Sequence, residues 1–319
     1  MEYRELGQSG LTVSEVSLGC WVTGGDYWGG ADDDQSIAAI RKAVDCGINF
    51  IDTAELYGRG HSEDIVGRAI ADLRQDVLLS SKVWKTNMSK DMVPVACEGS
   101  LKRLDADCID VYFIHYPSDE IPIGETMEAM GKLKKEGKIR AIGLSNFTVA
   151  QIREAMQFGT VDVIQPCYSL LWRGIEEDVL PFCSEQGIGV VAYSPLAQGL
   201  LTGKFKPGAT FPAGDGRVRT PLFQPGTLER CLEVAEGLLP YGRKYGKTQG
   251  QVAINWLTGR EGVTSAIVGA RTASQAEENA GAGGWRLSGE DAAAIDRIGR
   301  AVTDTLPHYV SFFMNKVKE

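Results

Sequence analysis

The chain alternates between two hydrophobic periods. Short apolar runs rich in Val and Ile occur as VSLG near residue 18, INFID near 50, VLLSSK near 80, IDVYFIH near 112, IRAIGLS near 142, VDVIQ near 163, GVVAYS near 191 and TSAIVG near 267. Runs this short, apolar at successive positions, read as strands buried on both faces, the pattern of a parallel sheet. Between them the apolar residues adopt helical spacing. Ile37, Ile40 and Val44 share a face behind Asp33 and Asp34, and Gly47 stops the segment. Ser62 is placed to cap a helix whose first turn holds Glu63 and Asp64. Met127, Met130 and Leu133 form a stripe, with Lys134 and Lys135 in the last turn and Gly137 beyond it. Most strand-helix units span about 30 residues, which predicts an α/β chain folded as a (β/α)₈ TIM barrel of about 250 residues. YREL and LTV, joined by GQSG, predict a β-hairpin ahead of the first barrel strand. The gap between the seventh and eighth strands is much longer than the others, and its Gly/Pro-rich stretch from Lys206 to Gly226 reads as a loop insertion. With no linker and no second core in the pattern, residues 1–319 are expected to form one barrel domain.

Composition narrows the function. A chain of 319 residues with 43% hydrophobic content buries a large core. Its net charge of −9, with Lys and Arg scattered among acids, argues against nucleic acid as a partner. MEYRELGQSG has neither the basic nor the apolar region of a signal peptide, and no stretch is long and apolar enough to cross a bilayer, so no membrane partner and a cytoplasmic location are expected. Seven cysteines, an odd number never spaced as CxxC, read as reduced thiols in core positions. Three histidines without clustered ligands argue against a structural metal site.

In a barrel of this kind the site is built at the C-terminal ends of the strands, so the polar residues that close each run converge. They are Trp21, Asp52, Lys82, His115, Ser145 with Asn146, Gln165, Tyr193 with Ser194, and Gly269 with Arg271. Tyr57 follows Asp52 within GINFIDTAELYG. Asp52, Tyr57, Lys82 and His115 together make a proton relay to a carbonyl. A free phenol titrates near ~10, too high for an efficient acid or base at neutral pH. A neighbouring ammonium is expected to lower that value, a carboxylate keeps the ammonium oriented, and a histidine hydrogen-bonds the oxygen where charge develops. Taken singly, Asp52 reads as a cap or loop residue, Lys82 as a solvated charge and Tyr57 as a rim aromatic. Their coincidence at neighbouring strand ends favours the relay. His61, beside a helix start, and His308, in the C-terminal tail, fall at no strand end and read as structural. GRGHSE lacks the third glycine of a dinucleotide loop and GRKYGKT is too short for a Walker loop, so a nucleotide would have to lie across the barrel mouth.

The blocks GINFIDTAELYGRGHSEDIVGRAI, SLKRLDADCIDVYFIHYP, GKIRAIGLSNF, YSLLW with VVAYSPLAQGLLTGKF, and IVGARTASQAEEN resemble the aldo-keto reductase superfamily, from the hairpin to the residues near 280. The insertion and the GARTASQAEEN block are similar to the bacterial branch of general stress and inositol-operon reductases, and more distantly to the potassium-channel β-subunits. The resemblance implies that Tyr57 donates the proton in reduction, that Lys82 and Asp52 tune it, and that His115 orients the carbonyl. It implies substrate walls at Trp21, Tyr27 and Trp84, and an NADPH/NADP+ cofactor bordered also by Trp21 and Asp52. Tyr193 would stack on the nicotinamide, with Ser145, Asn146 and Gln165 on its carboxamide. Ser194, Pro195, Leu196, Ala197, Gln198, Gly199 and Lys204 would wrap the pyrophosphate, and Arg217 would reach it from the insertion. Gly269, Arg271, Gln275, Glu278 and Asn279 would hold the adenosine end. The better-known pattern has a Lys-Ser pair and a later arginine where this chain has Gly269, Ala270 and Gln275, which leaves Arg271 to read the 2′-phosphate.

The resemblance thus implies an NADPH-dependent reductase of small aldehydes, ketones or sugars. A cofactor-holding regulatory subunit is the alternative, although those relatives carry an asparagine where this chain has His115. A (β/α)₈ lyase or isomerase working without nicotinamide would leave SPLAQGLLTGK and GARTASQAEEN without a purpose.

Overall fold

The computed structural model describes residues 1–27, 29–211 and 215–305. Tyr3–Glu5 (β1) and Thr12–Ser14 (β2) pair antiparallel as the expected hairpin. The eight apolar runs then form β3 (Val16–Gly19), β4 (Phe50–Asp52), β5 (Leu78–Val83), β6 (Ile109–Ile114), β7 (Ile139–Ser145), β8 (Val163–Gln165), β9 (Gly189–Tyr193) and β10 (Ser265–Gly269). Each strand pairs in parallel with the next, and β10 pairs with both β9 and β3, closing the barrel.

Around it run α1 (Asp33–Asp45), α2 (His61–Ile70), α3 (Met92–Leu104), α4 (Ile123–Lys135), α5 (Val149–Ala155), α6 (Val179–Gln186), α7 (Thr227–Gly237), α8 (Leu239–Tyr245), α9 (Gln249–Thr258), α10 (Ala273–Ala280) and α11 (Gly289–Thr303). The carboxylate of Asp32 caps α1 by accepting the Gln35 N–H at 2.9 Å, while Asp33 and Asp34 occupy the first turn. Met127, Met130 and Leu133 are the buried stripe of α4. Ser62 departs from the expected cap. It lies inside α2, fully buried, where its hydroxyl donates to the Cys20 carbonyl at 2.7 Å and accepts the Thr53 hydroxyl at 2.8 Å. A buried hydroxyl must find partners, and here they lie at the ends of two strands.

The core has two layers. Phe50, Val111, Phe113, Ala141, Val163, Val191 and Ile267 pack with Leu6, Leu11 and Val13 of the hairpin, which therefore closes the N-terminal end of the barrel. Space there is limited: a Cβ on Gly143 would sit 2.2 Å from the Phe113 ring. The second layer lies between the outer faces of the strands and the helices. Between β9 and β10 the chain runs through a turn at Ala197–Thr202, then short turns at Gly216–Arg219 and Pro221–Phe223. The insertion then continues as helix, and α7 lies against both the Ala197–Thr202 turn and α11. Among the described residues no helix is long and apolar enough to cross a membrane.

Candidate active site

Asp52 ends β4 and Lys82 lies near the end of β5, both buried. Lys82 Nζ donates to Asp52 Oδ2 at 2.7 Å, to the Thr53 carbonyl at 2.7 Å and to the Tyr57 hydroxyl at 3.3 Å. An ammonium has three N–H donors, and all three are used. The second carboxylate oxygen, Asp52 Oδ1, accepts Ser80 Oγ at 2.8 Å and Gln165 Nε2 at 2.9 Å. The residue expected to carry the proton is thus joined through one cation to a fully hydrogen-bonded carboxylate.

Backbone conformation fixes where Tyr57 stands. Gly58, Arg59 and Gly60 follow it with φ of 59°, 56° and 96°, and at Arg59 the left-handed conformation is strained. A Cβ on Gly24 would sit 2.6 Å from the Gly58 nitrogen, so the turn and the β3–α1 connection touch backbone to backbone.

The electrostatics correct one expectation. Burial, followed by the charge of Asp52, pushes the Tyr57 phenol well above its ordinary value of 10.0. Burial thus outweighs the Lys82 ammonium, although Lys82 Nζ lies 3.3 Å from the hydroxyl. Burial likewise holds the Lys82 ammonium below its usual value, against the pull of Asp52. His115 is held well below 6.5 by burial and then by Lys82, so its imidazole is neutral. Its Nδ1 is buried without a hydrogen-bond partner.

Aromatic rings line this centre. Trp21 lies 4.5 Å from Tyr27 and is stacked at 6.0 Å on Tyr57; Tyr57 meets His115 edge-on at 5.7 Å, and Trp84 meets His115 edge-on at 5.2 Å. Tyr116, not singled out in the sequence, completes the wall 5.6 Å from Trp84 and 5.5 Å from His115. Its signal was available: it directly follows His115 at a strand end.

Ser145, Asn146, Gln165 and Tyr193 also come together. Asn146 adopts φ 67°; its amide nitrogen donates to the His115 carbonyl at 3.1 Å and to Ser145 Oγ at 3.0 Å, and its oxygen accepts the Tyr193 hydroxyl at 2.7 Å. Ser145 Oγ in turn donates to the Gln165 carbonyl at 2.8 Å. Gln165 retains an amide oxygen and a second N–H beyond its bond to Asp52.

Beyond Tyr193 the backbone coils tightly. Ser194, Ala197, Gln198 and Gly199 all have positive φ, from 47° to 95°. Pro195 and Leu196 lie within this run, which is closed on itself by the Ala197 N–H donating to the Ser194 carbonyl and the Gly199 N–H to the Leu196 carbonyl, both at 2.9 Å. Lys204 faces it, its Nζ 2.7 Å from where a Cβ on Gly199 would sit, and Arg217 and Arg271 are neighbours of Lys204. Burial and the two neighbouring guanidinium groups hold the Lys204 ammonium below its ordinary value. Asp215 pairs with Arg217 at 2.5 Å, and that pairing is the leading cause of its depressed pKa. Three neighbouring cations, of which Arg217 pairs with Asp215, fit a ligand with several negative charges. The insertion also touches the opposite connection: a Cβ on Gly216 would lie 1.8 Å from the Tyr27 ring.

The family comparison agrees with this layout. Residues 15–300 match the model of the Aldo/keto reductase family. The chain belongs to that family. Aldo-keto reductase YhdN of Bacillus subtilis is 39% identical over 93% of each chain. The NADH-specific methylglyoxal reductase of Escherichia coli is 36% identical, covering 93% of this chain and 98% of that one. A probable voltage-gated potassium channel subunit beta of Arabidopsis thaliana is 35% identical over 88% and 90%. Among solved structures, the glycerol dehydrogenase AKR11B4 of Gluconobacter oxydans superposes with a TM-score of 0.88 at 35% identity, covering 95% of this chain and 97% of that one. An aldo-keto reductase of Klebsiella pneumoniae in complex with NADPH gives 0.79 at 33% identity over 98% and 100%.

The remaining candidates of this aldo-keto reductase lie along α10 and the connection that leads into it from β10. Asn279 Nδ2 donates to the Gly269 carbonyl at 3.1 Å, and the Arg271 N–H donates to Gln275 Oε1 at 2.8 Å. Glu278 is exposed, and its carbonyl accepts Gln251 Nε2 at 2.8 Å. His61 pairs with Asp33 at 2.8 Å across two helix starts, whereas His308 lies outside the described residues. Asp215 was missed in the sequence because nothing in a Gly/Pro-rich stretch tells which side of a barrel it folds over.

Proposed function

We propose that this aldo-keto reductase reduces a small aldehyde, ketone or open-chain sugar to the alcohol with NADPH, in the cytoplasm. The observation that carries the reading is the buried ammonium of Lys82, hydrogen-bonded at once to Asp52 and to the Tyr57 hydroxyl. The carbonyl oxygen sits between the Tyr57 hydroxyl and the neutral imidazole of His115, where both donate to the charge that develops on it. Tyr57 then gives up its proton, and the phenolate left behind faces the Lys82 ammonium, which Asp52 keeps oriented. The high resting pKa of the phenol suits this direction, because the acid is loaded at neutral pH. The nicotinamide cofactor, when bound, supplies the hydride. The residues that would hold it are Tyr193, Ser145, Asn146 and Gln165 at the ring, the Ser194–Gly199 coil with Lys204 and Arg217 at the phosphates, and Arg271 with Gly269, Gln275, Glu278 and Asn279 at the adenosine. One relative is named for NADH specificity, so the choice of dinucleotide in this chain turns on Arg271.

The potassium-channel relative makes a regulatory subunit the second reading, and the complete Tyr57, Lys82, Asp52 and His115 set favours the enzyme. A panel of small aldehydes, ketones and aldoses, followed by loss of NADPH absorbance with NADH in parallel, decides between them. Turnover of at least one class with NADPH preferred is the expected result. Tight NADPH binding with no turnover of any carbonyl would favour the regulatory reading.

A further inference from the structure

Glu55 lies between Asp52 and Tyr57 in the chain, but its half-buried carboxylate reaches the connection that follows β5. Glu55 Oε1 accepts the backbone N–H of Trp84 at 2.6 Å and the side-chain amide of Asn87 at 3.0 Å. Those two residues bracket a single turn, Lys85–Asn87, that has no side-chain cap of its own; the Asn87 N–H closes it on the Trp84 carbonyl at 2.8 Å. One carboxylate oxygen from another loop therefore grips both ends of the turn. The indole of Trp84, at the head of that turn, stands edge-on to His115 at 5.2 Å and to Tyr116 at 5.6 Å. Where the turn sits decides where this wall sits. Trp84 and Asn87 are themselves only partly buried, so packing alone does not fix them.

We propose that Glu55 is a positioning residue for substrate shape: by tethering the Lys85–Asn87 turn it sets the distance of the Trp84 wall from the reacting carbonyl. This rests on the carbonyl-pocket reading given above. Burial pushes the Glu55 carboxyl above its usual value, with the bonds from Trp84 and Asn87 opposing. The tether does not depend on charge, because a single carbonyl-type oxygen accepts both bonds in either protonation state. A carboxamide should therefore replace it and an alanine should not.

The test uses the full chain as wild type, Glu55→Ala and Glu55→Gln, with NADPH and two probes, benzaldehyde to fill the pocket as far as the Trp84 wall and propanal to fall short of it. In Glu55→Ala the KM for benzaldehyde should rise about fivefold, the factor that corresponds to losing one ordinary hydrogen bond. The KM for propanal and both kcat values should stay within about twofold. Glu55→Gln should match wild type with both probes. Amide hydrogen exchange of residues 84–88 in the free protein should quicken in Glu55→Ala alone. An unchanged KM ratio in Glu55→Ala, or a Glu55→Gln variant as impaired as the alanine variant, overturns the proposal. Unchanged exchange overturns the tether itself. If the wild type reduces neither aldehyde, the substrate-shape proposal falls, while the wider carbonyl panel still decides the proposed function and the exchange result still reports on the tether.

Discussion

Replacing Lys82 by Met removes one charge from a pair that water barely reaches, Lys82 being 0% and Asp52 4% exposed. Methionine fills most of the lysine stem, so the loss is mainly electrostatic. Removing one partner of a buried ion pair costs about 3–5 kcal/mol, because the other charge is left uncompensated. Asp52 keeps its bonds from Ser80 at 2.8 Å and Gln165 at 2.9 Å, which places the expected loss near the lower end, about 3 kcal/mol. Asp52→Asn should cost a similar amount by stranding the ammonium against the Thr53 carbonyl and the Tyr57 hydroxyl. The double variant Lys82→Met/Asp52→Asn buries neither charge and should lose less than the two singles together, a coupling of about 2 kcal/mol or more. Urea unfolding at neutral pH, followed by fluorescence, measures all three, and the single variants should also lose turnover. Additive losses, or single losses below about 1 kcal/mol, would mean that water reaches the pair and that Tyr57 is not tuned in a dry site.

Reduction needs a protonated phenol, and burial keeps the Tyr57 proton on to well above pH 10.0 while holding His115 neutral to well below 6.5. The kcat for reduction should therefore be flat from about pH 6 to about pH 9 and fall only above that range. An inflection near 6.5 would identify a titrating His115, and a decline beginning lower than expected would mean that Lys82 outweighs burial at Tyr57. Arg271→Ala should weaken NADPH roughly tenfold and NADH less, since a guanidinium pairs with a phosphate that NADH lacks; equal weakening in a fluorescence titration would move that role to Arg217 or Lys204. Gly143→Ala should destabilise by about 1–3 kcal/mol through overpacking, because the new methyl would sit 2.2 Å from the Phe113 ring. Gly131→Ala in α4, with nothing within 4 Å, should stabilise by roughly 0.5–1 kcal/mol; changes of the same sign in the two urea midpoints would contradict the packing account.

The eight strands were legible because parallel strands buried on both faces must be apolar at successive positions, which gives runs such as IDVYFI that no amphipathic helix shares. The convergence of Asp52, Lys82 and His115 was legible for a related reason: in a closed barrel, strand ends share one rim. The reading weakened wherever a contact depended on a loop crossing to another. Ser62 looked like a cap because its neighbours in the sequence fit one; its actual partners, Cys20 and Thr53, lie at two other strand ends. The helix Thr227–Gly237 begins directly after the Gly/Pro-rich stretch, and only the fold shows that it supports the coil that follows β9. The phenol's pKa was misjudged for an energetic reason. Proximity to Lys82 can be guessed from a motif, but the burial that outweighs it cannot. Glu55 sat in plain view within TAELYG, and only the fold reveals that it reaches Trp84.

The central claim is that Tyr57 is the proton donor and that the dinucleotide is held elsewhere. Single-turnover hydride transfer in Tyr57→Phe, alongside NADPH titration of the same protein, tests both parts at once. Removing a donor at a developing oxyanion costs about 10² to 10³ in rate, and losing the proton source should cost at least that. The expected result is such a loss in hydride transfer with NADPH affinity within about twofold of wild type. Near-wild-type transfer in Tyr57→Phe would contradict the account and move the proton to His115, the other donor facing the same oxygen.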